Sequence, residues 1–183
     1  PTNATARVLV PEDDSAAVSW TRVEYDDSAW MSGKNGVGYE REGSGGTYLP
    51  LIGVNLESQM FGKRSSAYVR FPFQLANPGA IESLTLRLKF KDGFVAYLNG
   101  GEVCRVNVPE SVTWDSLATA TRSSEEALEF VNFDLTDYKD LLHVGLNVLA
   151  VHLLNTATDS PGLLLVAELV GASRFGRMQP RFF

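Results

Sequence analysis

The sequence predicts an all-β protein, a sandwich of antiparallel strands with one short helix. Hydrophobic and polar residues alternate over several short segments, which is the period-2 pattern of half-buried strands. Turns that contain glycine separate these segments. Helical spacing of apolar residues occurs at 136–144, where Tyr138, Leu141 and Leu142 precede Gly145. Short strands, glycine-rich turns and a single helix are together typical of two packed sheets.

The first part of the chain has one predicted strand, at 7–10, which Pro11 closes. A sequence with turn chemistry follows, Asp26-Asp27-Ser28-Ala29-Trp30. Its Asp and Ser side chains can cap nearby backbone N–H groups, which predicts a turn that places Trp30 at the edge of the core. Adjacent carboxylates can also ligate a hard cation, so a metal site at Asp26 and Asp27 is an alternative interpretation.

Residues 32–66 show little periodicity and are rich in glycine. We predict a long ordered loop system here, because interleaved aromatic residues such as Tyr39 and Tyr48 are untypical of disorder. No Gly-Lys-Ser/Thr follows a strand in this segment, which excludes a phosphate-binding loop.

Regular alternation resumes at 67–75, where Pro72 cannot donate to a neighbouring strand and so predicts an edge or a bend. The next stretch predicts three antiparallel strands, at 84–90, 94–98 and 103–106. Asp92-Gly93 and Asn99-Gly100 are the expected tight turns between them, because glycine accepts positive φ and Asn-Gly is a strong hairpin signal.

The second half of the chain continues with a loop at 107–127 and an irregular strand at 128–135. The strand at 146–154 is apolar at nearly every position, which predicts burial on both faces. A polar turn at 155–162 leads to the last strand, expected at 163–170. We therefore assign 1–171 to a single domain and 172–183 to a linker with a basic, aromatic tail.

Composition excludes several classes of partner and site. The chain has 183 residues and a net charge of -6, which argues against nucleic acid because nucleic-acid binding needs a basic surface. No apolar run approaches the roughly 18–20 residues of a membrane-spanning helix. Cys104 is the only cysteine, so an internal disulfide and a cysteine-based zinc site are excluded.

If each strand runs opposite to the strand before it, four loops lie at the same end of the predicted sandwich. We call this end the loop end, and its loops are 31–66, 91–93, 107–127 and 155–162. Loops on a rigid sandwich are the usual place for binding residues. Aromatic faces with a few hydrogen-bonding groups suit a sugar ring, which has apolar C–H faces and a rim of hydroxyls. The alternative is that the loop aromatics only pin the loops to the core. The candidate carbohydrate-binding residues are Tyr39, Glu40, Arg41, Tyr48, Arg64, Asp92, Trp114, Asn155 and Asp159.

The sequence contains no recognisable catalytic set. It has two histidines, His143 and His152, and His152 fits a buried position in a sheet. Neither a Gly-x-Ser-x-Gly elbow nor a His-Glu-x-x-His motif occurs. Glu40 and Glu42 could be an acid and a base, but nothing in the sequence would push the pKa values of the two carboxyls apart, as those roles require. We therefore expect no enzymatic activity.

Five motifs occur in order along the chain: Asp26-Asp27-Ser28-Ala29-Trp30, Gly36-Val37-Gly38-Tyr39-Glu40, and the segments 60–70, 92–100 and 145–152. Together they resemble a β-sandwich module of large secreted proteins of environmental bacteria, found there beside polysaccharide-active, CotH-like and lamin-tail-like modules. The first and fourth motifs also resemble galactose-binding-like jelly-roll domains attached to glycoside hydrolases. The resemblance implies an antiparallel jelly-roll sandwich, an extracellular or cell-surface location, a non-catalytic role and often one structural calcium ion. It transfers no binding residue.

Two functional hypotheses follow. The first is a non-catalytic carbohydrate-binding module of a secreted multidomain protein, which binds a polysaccharide or other glycan through the loop end. The second is a structural or assembly module whose residues 172–183 contact a neighbouring domain or another copy, because an acidic body can receive a basic, aromatic tail. A hydrolase is disfavoured by the lack of a catalytic set.

Overall fold

Two β-sheets pack face to face in the computed structural model, which describes residues 4–16, 19–41 and 48–173. The strands are β1 (Thr5–Leu9), β2 (Met31–Lys34), β3 (Val37–Glu40), β4 (Val54–Asn55), β5 (Ser66–Leu75), β6 (Ile81–Phe90), β7 (Gly93–Leu98), β8 (Gly101–Val106), β9 (Val131–Asp134), β10 (Gly145–Leu154) and β11 (Gly162–Ser173). The first sheet has the order β2-β1-β5-β10-β7-β8, and the second has the order β4-β3-β11-β6-β9. Paired strands are antiparallel, apart from the parallel pair β3 and β4. The predicted all-β sandwich is confirmed.

Helices are short and lie between the strands. They are α1 (Glu57–Met60), α2 (Ser124–Leu128) and the 3₁₀ helices Ser19–Thr21, Leu49–Leu51, Pro78–Ala80 and Thr136–Leu141. The short helix predicted at 136–144 is present as a 3₁₀ helix that ends at Leu141, but it is not the single helix expected, because other short helices occur elsewhere. The strand predicted at 128–135 is shortened to β9, because a capping box at Ser123 and Glu126 starts α2 just before it. Within the described ranges, no helix is both long and apolar enough to cross a membrane.

The main core lies between the two sheets and follows the predicted alternation of β6. Leu84, Leu86 and Leu88 are fully buried there, together with Phe71 and Leu149 of the first sheet. Burying a side chain of this size stabilises the fold by roughly 1.5–3 kcal/mol relative to leaving it exposed. This rigid base holds the loops at its ends.

The turn at Asp92-Gly93 is a corner between the sheets and not the predicted hairpin. β6 belongs to the second sheet and β7 to the first, so the chain changes sheet within two residues. Asp92 has a φ of 67° there, in the left-handed region that L-residues seldom adopt. The Asn99-Gly100 hairpin between β7 and β8 is confirmed, with φ values of 51° and 92°.

The predicted gathering of loops at one end is confirmed by backbone contacts between them. The Asn155 N–H donates to the carbonyl of Ser65, and the Ala118 N–H donates to the carbonyl of Asn155, both at 2.8 Å. The Gly62 N–H donates to the carbonyl of Thr158 at the same distance of 2.8 Å. Loops from three separate parts of the chain therefore form one hydrogen-bonded unit.

Three further details of the strands differ from or refine the prediction. β3, β4 and all but the first residue of β2 lie inside the segment 32–66, which was predicted as loop. The strand with Pro72 is not at a sheet edge, because β5 lies between β1 and β10. β1 pairs only with Tyr68–Arg70 of β5, so Pro72 has no partner on β1. β11 continues to Ser173, so residues 172 and 173 form strand and not linker. The rest of the predicted tail, 174–183, lies outside the described residues.

A second, smaller core covers the outer face of the first sheet. The segment between β1 and β2 crosses this face, and its Trp20 and Trp30 pack against Tyr68. Arg70, which is 3% exposed, holds the segment in place through the Trp20 carbonyl and through Asp27 Oδ2, which accepts from Arg70 Nε at 2.6 Å. The predicted position of Trp30 at the core edge is confirmed.

Candidate functional site

Asp92 joins three loops beneath the surface of the loop end. Its Oδ1 accepts from Thr121 Oγ1 at 3.0 Å and from the Arg122 N–H at 3.1 Å. Its Oδ2 accepts from the Thr156 N–H at 3.1 Å and from Thr156 Oγ1 at 3.0 Å. The residue is 1% exposed, so its carboxylate is occupied by four protein donors and organises the loops from inside.

Tyr39 and Asn155 form a second buried link. Tyr39 Oη donates to the Ser160 carbonyl at 2.9 Å and accepts from Asn155 Nδ2 at 3.0 Å. Both residues are 0% exposed, and burial raises the pKa of Tyr39 to about 12. The phenol is therefore a neutral hydrogen-bonding group that ties β3 to the turn before β11.

Tyr48 is also 0% exposed and packs against the start of β11. A Cβ placed on Gly162 would lie 1.8 Å from Tyr48 Oη, so glycine is required for this close approach. Neither Tyr39 nor Tyr48 has a ring face open at the surface. For these two residues, the alternative from the sequence holds, in which loop aromatics pin the loops to the core.

The other candidates lie at or near the surface of the loop end. Glu40 Oε2 accepts from the Leu49 N–H at 2.5 Å. Arg41 is exposed, forms an ion pair with Glu57, and its Cζ lies 3.9 Å from the centroid of the Phe61 ring. The candidates Arg64 and Trp114 lie together, with Arg64 Cζ 6.0 Å from the centroid of the Trp114 ring. Asp159 is exposed in the turn between β10 and β11. A sugar-binding role for these residues stays a prediction.

An aromatic pocket opens beside Trp114 on the outer face of the first sheet. It has a volume of about 180 Å³ and is lined by Asp14, Trp20, Thr21, Tyr68, Tyr97, Val112, Thr113, Trp114 and His152. Trp20 stacks on Tyr68, with ring centroids 4.2 Å apart and planes 8° from parallel. Tyr97 meets Trp20 edge to face at 5.9 Å. Tyr97 and Trp114 are half-buried, whereas the rings beneath them are buried.

His152 contributes the unusual polar atom of this aromatic pocket. The residue is 4% exposed, and its Nε2 has no hydrogen-bond partner within the described parts of the chain. Its ring meets that of Tyr68 edge to face, with centroids 4.8 Å apart. Burial lowers the pKa of His152 to about 3, so the imidazole is neutral at pH 7. The imidazole is therefore an uncharged group in the pocket wall, and its Nε2 is enclosed without a partner among the described residues.

Trp20, Tyr68, Tyr97 and His152 were not among the residues predicted from the sequence. The register of the first sheet places Tyr68, His152 and Val95 side by side, with Tyr97 in the next row. Tyr68, Tyr97 and His152 occupy outward positions of their strands, which the alternation of the sequence indicates for Tyr68, and Trp20 lies in the 3₁₀ helix Ser19–Thr21. Recognising the cluster also requires the strand order β5-β10-β7, which local periodicity does not contain.

The acidic residues of the described chain do not converge on a metal site. No group of three or more His, Cys, Asp and Glu side chains in the described ranges has a geometry that could hold a metal ion. Asp27 pairs with Arg70, and Asp26 Oδ1 accepts from the Ser28 N–H at 2.9 Å, which is the predicted turn. The donors around Asp92 are all N–H and O–H groups. These residues do not fit the calcium ion implied by the resemblance, which stays a prediction.

Solved structures of much longer chains share this fold. A β-glucuronidase from Bacteroides uniformis matches 91% of this chain and 17% of its own, with 17% identity and a TM-score of 0.50. A glycosyl hydrolase family 2 member from Bacteroides cellulosilyticus matches 91% of this chain and 20% of its own, with 14% identity and a TM-score of 0.50. No family model matches the chain, and no curated protein matches its sequence. The likeness shows the fold alone.

Proposed function

We propose that the chain is a non-catalytic glycan-binding module of a secreted multidomain protein, and that it acts outside the cell or at its surface. The observation that carries this proposal is the aromatic pocket, where the half-buried rings of Tyr97 and Trp114 meet polar groups of Asp14, Thr113 and His152. The C–H faces of a sugar can pack on such rings while its hydroxyls bond to the carboxylate, the hydroxyl and the imidazole.

The comparisons agree with a carbohydrate-related setting. The two similar chains are a β-glucuronidase and a glycosyl hydrolase, and this chain spans at most 20% of either. A module of this size is therefore expected to act beside other domains. The activity of those longer proteins is not needed for the proposal, which depends on the aromatic pocket of this chain.

The non-catalytic part of the proposal is supported by the structural use of the carboxylates. Glu126 closes the capping box of α2, and Asp92 is occupied by four donors. Glu40 accepts from the Leu49 N–H. These acids hold loops, so they are not available as the acid and base of a hydrolase.

Glycan-array screening and pull-down with insoluble polysaccharides test this function, with Trp114→Ala as the variant. We expect a loss of binding of about tenfold or more, as is typical of an aromatic anchor. The main-chain carbonyl of Trp114, which accepts from Ser66 Oγ, is kept in this variant. Tyr138→Ala is the matched control, because Tyr138 is an exposed aromatic residue outside the pocket, in the 3₁₀ helix Thr136–Leu141. No binding to any glycan, or equal loss in both variants, would contradict the proposal.

The assembly hypothesis from the sequence depends on residues 174–183, which lie outside the described residues, and it stays a prediction. Because β11 ends at Ser173, the truncation that tests it must follow Ser173 so that no strand is cut. Loss of self-association in light scattering would favour assembly.

A further inference from the structure

The charge of the aromatic pocket restricts the ligands that it can hold. Asp14 is its one ionised lining residue, and no Lys or Arg is among the described residues that line it. Burial raises the pKa of the Tyr68 phenol in the pocket wall, and the nearby carboxylates of Asp14 and Asp115 raise it further. An anionic ligand would meet like charge here, and a cationic one would be attracted.

The size of the aromatic pocket restricts the ligand further. Its volume of about 180 Å³ is below the roughly 300 Å³ at which pockets begin to hold drug-sized ligands. One ring with its substituents therefore fits, whereas an internal stretch of polysaccharide does not. The pocket is suited to the end of a glycan.

The wall of the aromatic pocket also contains an unused polar atom. A buried polar group without a partner costs about 1–3 kcal/mol, and a ligand that pairs with it recovers that free energy. His152 Nε2 is such a group, and it lies beside the rings of Trp20 and Tyr68.

We propose that the aromatic pocket binds the terminal residue of a glycan, and that this residue is an amino sugar with a free, protonated amine. The ammonium group is placed by Asp14 and by the aromatic rings, through charge and cation–π attraction. The sugar ring packs on Trp114 and Tyr97, beside the neutral imidazole of His152. The proposal rests on the glycan-binding function above and adds the substrate class.

Calorimetric titration of the full chain with three oligosaccharides of equal length tests this proposal. The probes are a glucosamine oligomer, its fully N-acetylated counterpart and a glucuronic acid oligomer. We expect the glucosamine oligomer to bind about threefold to fivefold tighter than the N-acetylated one, which is the range of an exposed ion pair. The glucuronic acid oligomer should bind more weakly than the N-acetylated one, because its carboxylates meet the like charge of Asp14.

Asp14→Asn should remove this preference, so that the glucosamine and N-acetylated oligomers bind the variant with equal affinity. Asp13→Asn is the matched control, because it removes the same charge from an exposed neighbour that does not line the aromatic pocket. Equal or tighter binding of the N-acetylated or glucuronic acid oligomer in a Trp114-dependent manner would overturn the amino-sugar assignment alone. A chain that binds none of these probes and no glycan on the array would overturn the proposed function as well.

Discussion

Replacing Asp92 with Asn tests whether one buried carboxylate organises the loop end. The substitution keeps the shape of the side chain, and Asn tolerates the left-handed backbone at φ 67° as well as Asp does. It removes the charge and replaces one acceptor oxygen with an NH₂ group. Thr156 Oγ1 can rotate to accept from that group, but the Thr156 N–H then faces a donor at the position where Oδ2 now accepts at 3.1 Å.

The expected loss of stability follows from these four bonds. One buried N–H left without an acceptor costs about 1–3 kcal/mol, and the remaining bonds lose about 1 kcal/mol because their acceptor is no longer charged. Asp92→Asn should therefore lower the free energy of unfolding by about 3 kcal/mol. For a chain of this length, this corresponds to a decrease in Tm of roughly 6–12 °C.

Urea unfolding followed by tryptophan fluorescence measures this change, and the m-value should stay the same. Asp159→Asn is the control, because Asp159 is an exposed residue of a neighbouring loop and its substitution should change stability by less than about 0.5 kcal/mol. If Asp92→Asn also stays within about 0.5 kcal/mol of the parent chain, the buried carboxylate does not organise the loop end and the reasoning is wrong.

Two further changes test other parts of the structure. Gly36→Ala should destabilise the chain by more than about 3 kcal/mol, because its φ is 103° and the new Cβ would lie 1.8 Å from the Leu51 carbonyl oxygen. Gly145→Ala is the control, because Gly145 has a φ of 95° but nothing within 4 Å of the new Cβ. Thermal unfolding should show that this control loses only the backbone contribution of about 1–2 kcal/mol. Burial lowers the pKa of His152 from 6.5 to about 3, so the unfolded chain takes up this proton at a higher pH than the folded chain does. The stability due to this residue is therefore complete above pH 6.5. The free energy of unfolding should fall by about 2 kcal/mol between pH 7 and pH 5. Urea unfolding at both pH values should show that His152→Phe removes this part of the pH dependence and that His143→Gln, at an exposed site, keeps it.

The parts of the fold that could be predicted are those encoded by neighbouring residues. The alternation of Leu84, Leu86 and Leu88 identifies β6 and its buried face, and Asn99-Gly100 identifies a hairpin. Because strand directions follow from counting, the loop end was also predictable. β2 and β3 were not, since Gly33, Gly36 and Gly38 interrupt the side-chain pattern that marks a strand.

The parts that could not be predicted depend on which strands lie side by side. Asp92-Gly93 has the sequence of a hairpin turn, and only the sheet order shows that it connects two sheets. The aromatic pocket has the same origin. Tyr68 and His152 are 84 positions apart in the sequence and become neighbours through the pairing of β5 with β10.

Hydrogen bonding explains why the candidate site residues chosen from the sequence include both residues that hold the loops and residues that lie at the surface. A long loop that folds onto a core buries backbone N–H and C=O groups, and each needs a partner. Polar and aromatic loop residues supply these partners, as Asp92 and Asn155 do, and they have the same composition as residues that bind a ligand. The number of protein partners separates the two roles: Asp92 has four donors, whereas His152 Nε2 has none within the described residues. A group that the fold buries without using is the better starting point for locating a ligand, and here it lies on the sheet face beside the loops.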